Sequence, residues 1–542
     1  MSVDGIPLSG DEVQRREGLL AAYHTHFHPE RVATPTHLDP HAHERGTCLT
    51  GLVRDLKQNW HLFTAPERAE ITSKLAPFKS DLLDPLSPVG LAALGADGPP
   101  PPGSCWGDQK DNAILTEHFS VQWDDGTITQ TQAENFAESM EYSYAVEVDE
   151  LGWRNPEGLP SYQILVMVEN MGGGAGAYTS VDYCGGQTLP YIVASTGSFS
   201  AGSWYKTMAC HELHHAIQFG YGYAHEFWYW EASATWVEDR VYPDLNDWMN
   251  AVYVYSLVPY IGMNASGRGG NEYLFYHTYA MGIWGMFLDQ HVGGNDLVRD
   301  TWDVSRVSSC QYCLWMPDAV DRTGEDFYAL YTQFIATNAV MDYRDRLWMQ
   351  TPTLSDEVTS LPDSGESSYQ DRPQSLGQNF IGFDSALGGS DKALEVTFDG
   401  ENTPDQWIAI LVRGDSEVEE IVEFELNENM WGIAQIDFPG DADIHLVVSP
   451  IDEGAQGYYY DWGSPDDFNY VWSAQIVEST SDGGDDDEGT DDGDAGPIAD
   501  GDESGEVIGQ KGKGCACASS GSGPVGWLAL MIGLVPVVRR RA

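Results

Sequence analysis

The sequence predicts an α+β protein in which a mixed lobe is followed by a helical lobe and then by an all-β sandwich domain. Three observations indicate this order. Strand and helix patterns alternate through residues 107–227, helical patterns dominate residues 228–350, and from residue 375 apolar residues recur with a period of two. A chain of 542 residues is also too long for one compact core, so several domains are expected.

Residues 1–95 are polar and are predicted to be helical, as in DEVQRREGLLAAYHTHF and APERAEITSKLAPF. Residues 96–106 form a Pro/Gly-rich linker, because consecutive prolines hold the chain in an extended conformation. Such a linker is a plausible place for cleavage. We therefore expect the N-terminal region to be a propeptide, a cap or an accessory domain.

The mixed lobe begins with HFSVQWDD, which alternates like a strand, and continues with a long helix over residues 129–153. SYQILVMVEN and LPYIVAST are predicted strands, and the glycine-rich MGGGAGAYTS between them is predicted to be a loop. The helical lobe contains helices at residues 273–292 and 325–343. In the region 375–475, five alternating segments with turn residues between them predict a β-sandwich.

The end of the chain has a different composition. Residues 479–514 are acidic and nearly free of apolar side chains, so we expect a disordered stalk. Residues 515–542 contain two cysteines, a short apolar stretch and three terminal arginines. This order resembles a C-terminal sorting signal of the MYXO-CTERM type. The resemblance implies export to the cell surface, with transient membrane insertion of the tail and a signal peptide that precedes this Met1.

The net charge of −57 excludes nucleic acid as a partner, because a polyanion repels a strongly acidic protein. It suits an extracellular protein, and a structural Ca²⁺ ion on the acidic surface is an additional expectation. Six cysteines precede the tail, an even number that is compatible with disulfide bonds whose pairing stays open. The Cys310–Cys313 pair has no second CxxC nearby and is expected to form a local disulfide or two free thiols. The sequence leaves the oligomeric state open.

The segment HELHH at residues 211–215 contains an HExxH motif in a predicted helix. Residues four apart share one helix face, so His211 and His215 can point two imidazoles at one Zn²⁺ while Glu212 lies beside the metal. A catalytic zinc needs a third protein ligand. Glu231, sixteen residues after His215 in WEASATWVED, is the candidate, and Glu238 lies on the same face for a hydrogen bond to a ligand histidine.

HELHH together with WEASATWVE resembles the gluzincin clan of zinc metallopeptidases. Residues 106–343 are similar to a family of surface metallopeptidases that often carries the same sorting tail. This resemblance implies one Zn²⁺ per chain held by His211, His215 and Glu231, with Glu212 as the general base. A Tyr-x-x-Gly match implies that Tyr279 stabilises the oxyanion, although Tyr273 and Tyr276 are neighbouring alternatives. Cys48 is one candidate for a thiol that caps the zinc.

The predicted function is a zinc-dependent endopeptidase that hydrolyses extracellular proteins or peptides, whose extended chain would lie beside the edge strand of the mixed lobe. An alternative is a catalytically inactive surface adhesin or binding protein that uses the β-sandwich. His214 projects to another face, and His225 lies in a loop, so both are interpreted as ordinary polar residues. Trp228, Trp230 and Trp236 are interpreted as core.

Overall fold

A computed structural model describes nine parts of the chain: residues 2–3, 6–27, 47–75, 103–171, 175–200, 202–266, 272–307, 313–453 and 467–479. The chain divides into two units, Met1–Ser481 and Asp482–Ala542. All described residues belong to the first unit. The predicted sorting signal, the predicted stalk after residue 479 and the part of the predicted linker before residue 103 lie outside the described residues.

The described residues of the N-terminal region are largely helical. Its elements are β1 (Ser2–Val3), β2 (Ile6–Pro7), α1 (Gly10–Phe27), β3 (Thr47–Cys48), α2 (Thr50–Gln58) and α3 (Ala65–Leu75). Leu19, Tyr23 and Leu56 are among the side chains that build a core with one face of the large sheet of the mixed lobe. The N-terminal region is thus packed onto that sheet.

The mixed lobe is built on a six-stranded sheet with the order β3-β7-β8-β6-β5-β4. Its remaining strands are β4 (Asn112–Leu115), β5 (Phe119–Trp123), β6 (Ile164–Glu169), β7 (Ala175–Cys184) and β8 (Gln187–Ser195). β5, β6 and β8 are parallel to one another, and β7 is antiparallel to β8. Without β3, the long strand β7 would form the edge of this sheet.

The prediction of a glycine-rich loop over residues 171–180 is wrong from Ala175 onward, because β7 begins there. Residues 172–174 lie outside the described residues. The small side chains hid a strand that pairs with β8 from Ala177 to Cys184. Gly185 and Gly186 join the two strands with φ of 59° and 87°. A two-residue hairpin turn with positive φ at both positions strongly favours glycine, so the Gly-Gly pair marked a hairpin.

Two helices cover the other face of the sheet: α4 (Gln130–Tyr144), which continues as a π-helical turn over Ala145–Glu150, and α5 (Trp204–Phe219). The side chain of Thr129 accepts a hydrogen bond from the backbone of Gln132, and the Gln132 side chain accepts one from the Thr129 backbone. This capping box fixes the start of α4. The HExxH motif lies in the second half of α5, which is buried almost entirely.

The helical lobe follows, as predicted. Its helices are α6 (Phe227–Val241), α7 (Met249–Leu257), α8 (Glu272–Ala280), α9 (Gly282–Phe287), α10 (Gly294–Asp303), α11 (Met316–Thr323) and α12 (Phe327–Val340). Glycines bring α9 close to α6. A Cβ on Gly282 would lie 3.1 Å from Thr235, and one on Gly285 would lie 2.8 Å from Trp236. Larger residues at these two positions would push α9 away from α6.

The sandwich domain has a four-stranded sheet, β10-β17-β12-β15, and a five-stranded sheet, β14-β13-β16-β11-β9. The strands are β9 (Asp356–Val358), β10 (Asp363–Glu366), β11 (Asn379–Phe383), β12 (Lys392–Gly400), β13 (Gln406–Arg413), β14 (Glu420–Glu423), β15 (Trp431–Asp437), β16 (Ile444–Ile451) and β17 (Tyr470–Glu478). The five predicted strands are all present, and β9 and β10 lie before the predicted start at residue 375. Ile410 and Val447 also join the core of the helical lobe.

The cysteines are only partly paired. Cys105 and Cys184 form a disulfide that ties the start of the mixed lobe to the tip of β7. Cys313 is also disulfide-bonded, and Cys310 lies outside the described residues. Cys48 and Cys210 are free thiols, so the even count does not mean full pairing. Among the described residues, no helix combines the length and the apolar composition that crossing a bilayer requires.

Candidate metal centre

The two HExxH histidines lie on one face of α5, because they are separated by four residues of a regular helix. Their ring centroids are 4.8 Å apart. His211 is 4% exposed and His215 is fully buried. The Nε2 atoms of both rings lie 3.3 Å from the same atom, Oε2 of Glu231.

Glu231 reaches this point from the first turns of α6, the helix that follows the HExxH helix and packs against it. A tetrahedral zinc with nitrogen and oxygen ligands at about 2.0–2.2 Å separates neighbouring ligand atoms by about 3.3–3.6 Å. The two separations of 3.3 Å between the histidine nitrogens and the carboxylate match such an edge. The three side chains are therefore spaced as the ligands of one small cation would be.

Outer hydrogen bonds fix the orientation of both imidazoles. Nδ1 of His211 is 2.7 Å from Oε1 of Glu238, and Nδ1 of His215 is 2.7 Å from Oε1 of Gln218. The Gln218 amide in turn donates to the carbonyl of Trp230 at 2.9 Å and to Ser233. These hydrogen bonds would keep each Nδ1 protonated when a metal is bound, so that each Nε2, which faces the cluster, could offer its lone pair.

The pocket favours positive charge. Burial alone would raise the pKa of Glu231, but the charges and hydrogen bonds of His215 and His211 outweigh burial and hold it well below its ordinary value. Burial alone would lower the pKa of His215, yet nearby Cys48 and Glu231 raise it to about 10. Burial raises the pKa of Glu238 to about 7. The metal-free cluster thus attracts protons, and a divalent cation would replace them.

Glu212 is not one of the clustered ligand residues and is held by hydrogen bonds from its neighbours. Its Oε2 accepts hydrogen bonds from the hydroxyls of Thr179 on β7, at 2.7 Å, and Thr50 on α2, at 3.2 Å. Its Oε1 is buried and has no hydrogen-bond partner among the described residues. Thr179 therefore couples the carboxylate to β7 and leaves one oxygen free to accept a proton.

Tyr279 lies at the end of α8, just before the chain bends into α9 at Gly282. Its ring stacks beside that of His211, with centroids 6.0 Å apart. Its hydroxyl donates a hydrogen bond of 2.7 Å to the backbone carbonyl of Cys48. The phenol thus lies beside the histidine cluster, and its hydroxyl can donate to a carbonyl oxygen there. The side chain of Tyr273 lies outside the described residues.

Cys48 joins the same cluster. Its Sγ is 3.3 Å from Nε2 of His215, and the ligand atoms of Cys48, His211, His215 and Glu231 all lie within 4.8 Å of one another. Burial, followed by the charges of Glu212 and Glu231, raises the pKa of the Cys48 thiol. The thiol is neutral without a cation, and a bound metal would stabilise its thiolate.

The residues interpreted as ordinary polar or core side chains do not reach the cluster. His214 is fully buried on another face of α5, where its Nδ1 is 3.0 Å from Glu147. Burial lowers the pKa of His214 and raises that of Glu147, so both are neutral. His225 contacts the carbonyl of Thr301 at 2.9 Å. The three tryptophans of α6 are buried core residues: Trp228, Trp230 and Trp236.

Sequence reasoning missed three polar residues of the site. Gln218 had a usable signal, because it follows His215 by three residues on the same helix face. Thr179 had none, since it lies in the segment that was predicted to be a loop. Thr50 is distant in sequence and joins the site only because α2 packs against β7.

No protein-family model matches the sequence, and no curated protein matches it. One solved structure that it is similar to is the pre-peptidase C-terminal domain of collagenase from Bacillus anthracis, at 15% identity over 23% of this chain and 100% of that chain. The TM-score is 0.17, which is too low to carry an argument about fold or function.

The fold and the cluster together define a mixed α+β protein with a candidate metal-binding group. The donor set fits a zinc ion, because imidazole, carboxylate and thiolate are its usual protein ligands. Two buried carboxylate oxygens, Oε1 of Glu212 and Oε1 of Glu231, have no hydrogen-bond partner among the described residues. Unpaired buried carboxylate oxygens are costly, and a nearby cation would offset that cost.

Proposed function

We propose that this protein is a zinc-dependent endopeptidase of the gluzincin type. The observation that carries the proposal is the convergence of His211, His215 and Glu231 at ligand spacing, with Glu212 beside them. When bound, zinc would lower the pKa of a water molecule and polarise the scissile carbonyl. The remaining chemistry belongs to the side chains of this chain.

Glu212 would take the proton of the attacking water on its free Oε1 and later deliver it to the leaving amine. Thr179 supports this role, because its hydroxyl holds Oε2 and so fixes the carboxylate plane. Tyr279 would donate to the oxyanion that develops on the substrate carbonyl. Its present hydrogen bond to a backbone carbonyl supports that geometry.

Strand β7 would bind the substrate backbone. Between Ala175 and Thr179 its outer edge carries amide and carbonyl groups that can pair with an extended peptide, and β3 already pairs there. Because such pairing uses only main-chain groups, it supports cleavage of proteins and peptides without requiring a particular substrate side chain. The sorting-tail resemblance adds the proposal that the enzyme works outside the cell or at its surface.

The test compares the wild type with Glu212→Gln and Glu231→Ala. Glu212→Gln should retain one zinc per chain by elemental analysis, and it should lose peptide hydrolysis by a factor of about 10² to 10⁴ because proton transfer is removed. Glu231→Ala should lose the metal. A Glu212→Gln protein that cuts a peptide library as fast as the wild type would refute the assignment of the base.

The alternative, a surface adhesin that uses the β-sandwich, predicts different results. Its binding would survive metal removal and the loss of Glu212. Trp431 and Ile433 on β15 are 40% and 47% exposed, so an apolar surface is available on this domain. A zinc-free protein that hydrolyses no peptide yet binds cells or matrix would favour the adhesin.

A further inference from the structure

Residues 47–50 of the N-terminal region lie along the edge of the large sheet at the metal cluster. β3 pairs in parallel with β7, and the amide of Leu49 donates to the carbonyl of Ala177 at 2.7 Å. The amide of Thr179 then donates to the hydroxyl of Thr50 at 2.7 Å. This segment therefore uses the hydrogen-bonding groups that an extended substrate would need.

The same segment reaches all three functional parts of the site. The Cys48 thiol lies among the ligand atoms, and the Cys48 carbonyl accepts the Tyr279 hydroxyl at 2.7 Å. Two residues later, Thr50 donates to Glu212 at 3.2 Å. The metal position, the oxyanion donor and the general base thus each contact the N-terminal segment.

Helix α2 locks the segment in place. A Cβ on Gly51 would lie 1.8 Å from the ring of Phe227, so glycine is required for this close approach. The guanidinium of Arg54 lies 4.0 Å above the same ring. Leu49, Val53 and Leu56 are buried in the core shared with the sheet. The contact is a packed interface and not a single hydrogen bond.

Little space is left for a peptide. The cavity lined by Cys48, Gly51, Leu52, Glu231 and Tyr279, among others, has a volume of about 20 Å³. A single water needs about 10–15 Å³ on this measure, so one or two waters fit. While residues 47–50 pair with β7, an extended peptide cannot pair with the same edge of that strand.

We propose that residues 47–50 form an autoinhibitory segment in which the Cys48 thiolate is the fourth ligand of the metal. The thiol gives its proton to solvent when the sulfur binds, and the sulfur then holds the position that the attacking water needs. Release of the segment exchanges the thiolate for water and opens the edge of β7. The inhibition of catalysis by this segment rests on the peptidase function proposed above. The assignment of Cys48 as a metal ligand does not rest on that function.

The full chain is prepared with Co²⁺ in place of zinc, because a cobalt thiolate gives a sulfur-to-metal charge-transfer absorption in the near ultraviolet. The wild type should show this absorption, and Cys48→Ser should lose it. Cys210→Ser is the matched control: Cys210 is the other free thiol in the part of the chain that the structure describes, is buried, and contacts the carbonyl of Thr207 at 3.0 Å, so the absorption should survive. Absence of the absorption in the wild type, or its survival in Cys48→Ser, overturns the proposal.

If Cys48→Ser fails to fold, alkylation of the folded wild type decides the matter. Slower labelling of Cys48 with metal than without it supports ligation, and equal labelling overturns it. A second arm measures hydrolysis of a peptide library by the zinc proteins. Cys48→Ser should be faster than wild type by on the order of tenfold or more, because activity scales with the fraction of chains whose site is open.

The two proposals fail in different ways. Equal, appreciable hydrolysis by the wild type and Cys48→Ser would overturn autoinhibition and leave the peptidase intact. A Cys48-dependent cobalt absorption without hydrolysis by any variant would support the fourth ligand and refute the peptidase, and latency would fall with it.

Discussion

Glu238 is expected to set the metal affinity of the cluster without touching the metal. Its Oε1 accepts a hydrogen bond of 2.7 Å from Nδ1 of His211, and this bond holds the ring so that Nε2 faces the ligand position. Removal of such a partner typically weakens metal binding by about 10–100-fold. That range corresponds to about 1.4–2.7 kcal/mol.

Two substitutions separate charge from hydrogen bonding. Glu238→Ala removes both, and we expect the Kd for zinc to rise by about 10–100-fold. Glu238→Gln keeps an oxygen that can accept the proton and removes the charge, so a smaller rise, of less than about tenfold, is expected. Burial raises the pKa of Glu238 to about 7, so part of its charge is already lost at neutral pH in the metal-free protein.

The assay is a competition titration against a chromogenic chelator, with thermal unfolding of each metal-free protein to check the fold. Glu134→Ala, on the exposed side of α4, is the matched control for the loss of one carboxylate and should bind zinc like the wild type. If Glu238→Ala folds and binds zinc as tightly as the wild type, the assignment of His211 as an oriented ligand is wrong.

Three further predictions concern stability. Burial lowers the pKa of His225 from 6.5 to about 3. Between these two pH values the unfolded chain binds a proton at His225 and the folded chain does not. The free energy of unfolding therefore falls as the pH falls through this window. His225→Gln should therefore reduce the slope of unfolding free energy against pH by up to about 1.4 kcal/mol per pH unit, as measured by urea titrations. An unchanged slope would contradict this prediction. Replacing Cys105 and Cys184 together by serine opens a loop of 79 residues and should reduce the free energy of unfolding by up to about 4.5 kcal/mol. Denaturant titration without reductant measures this loss. Equal unfolding midpoints for the variant and the wild type would count against a stabilising disulfide. Gly285→Ala should lower the free energy of unfolding by about 1–3 kcal/mol, because the new Cβ would lie 2.8 Å from Trp236. Thermal unfolding measures this loss, and a melting temperature equal to that of the wild type would show that α9 can shift freely.

The sequence by itself determined the local part of the centre. His211 and His215 share a face because a helix repeats about every 3.6 residues, and no tertiary contact is needed to know it. A hydrogen bond from a ligand histidine to Glu238 was also predicted, since Glu231 and Glu238 lie two turns apart on one helix, and the structure identifies that histidine as His211. The helices and most strands followed the same local rules, because their apolar residues recur with the period of the element.

Only the tertiary structure decided the rest. Cys48, Thr50 and Thr179 meet the HExxH helix through contacts between residues 33 to 167 positions apart, and no local periodicity encodes such contacts. Strand β7 escaped detection because its alanines and glycines carry little side-chain signal, and its conformation depends on pairing with β8. The core that packs α2 against the sheet brings residues 47–50 to the candidate metal position. The proposed autoinhibition therefore depends on packing between distant segments, and no sequence motif encodes it.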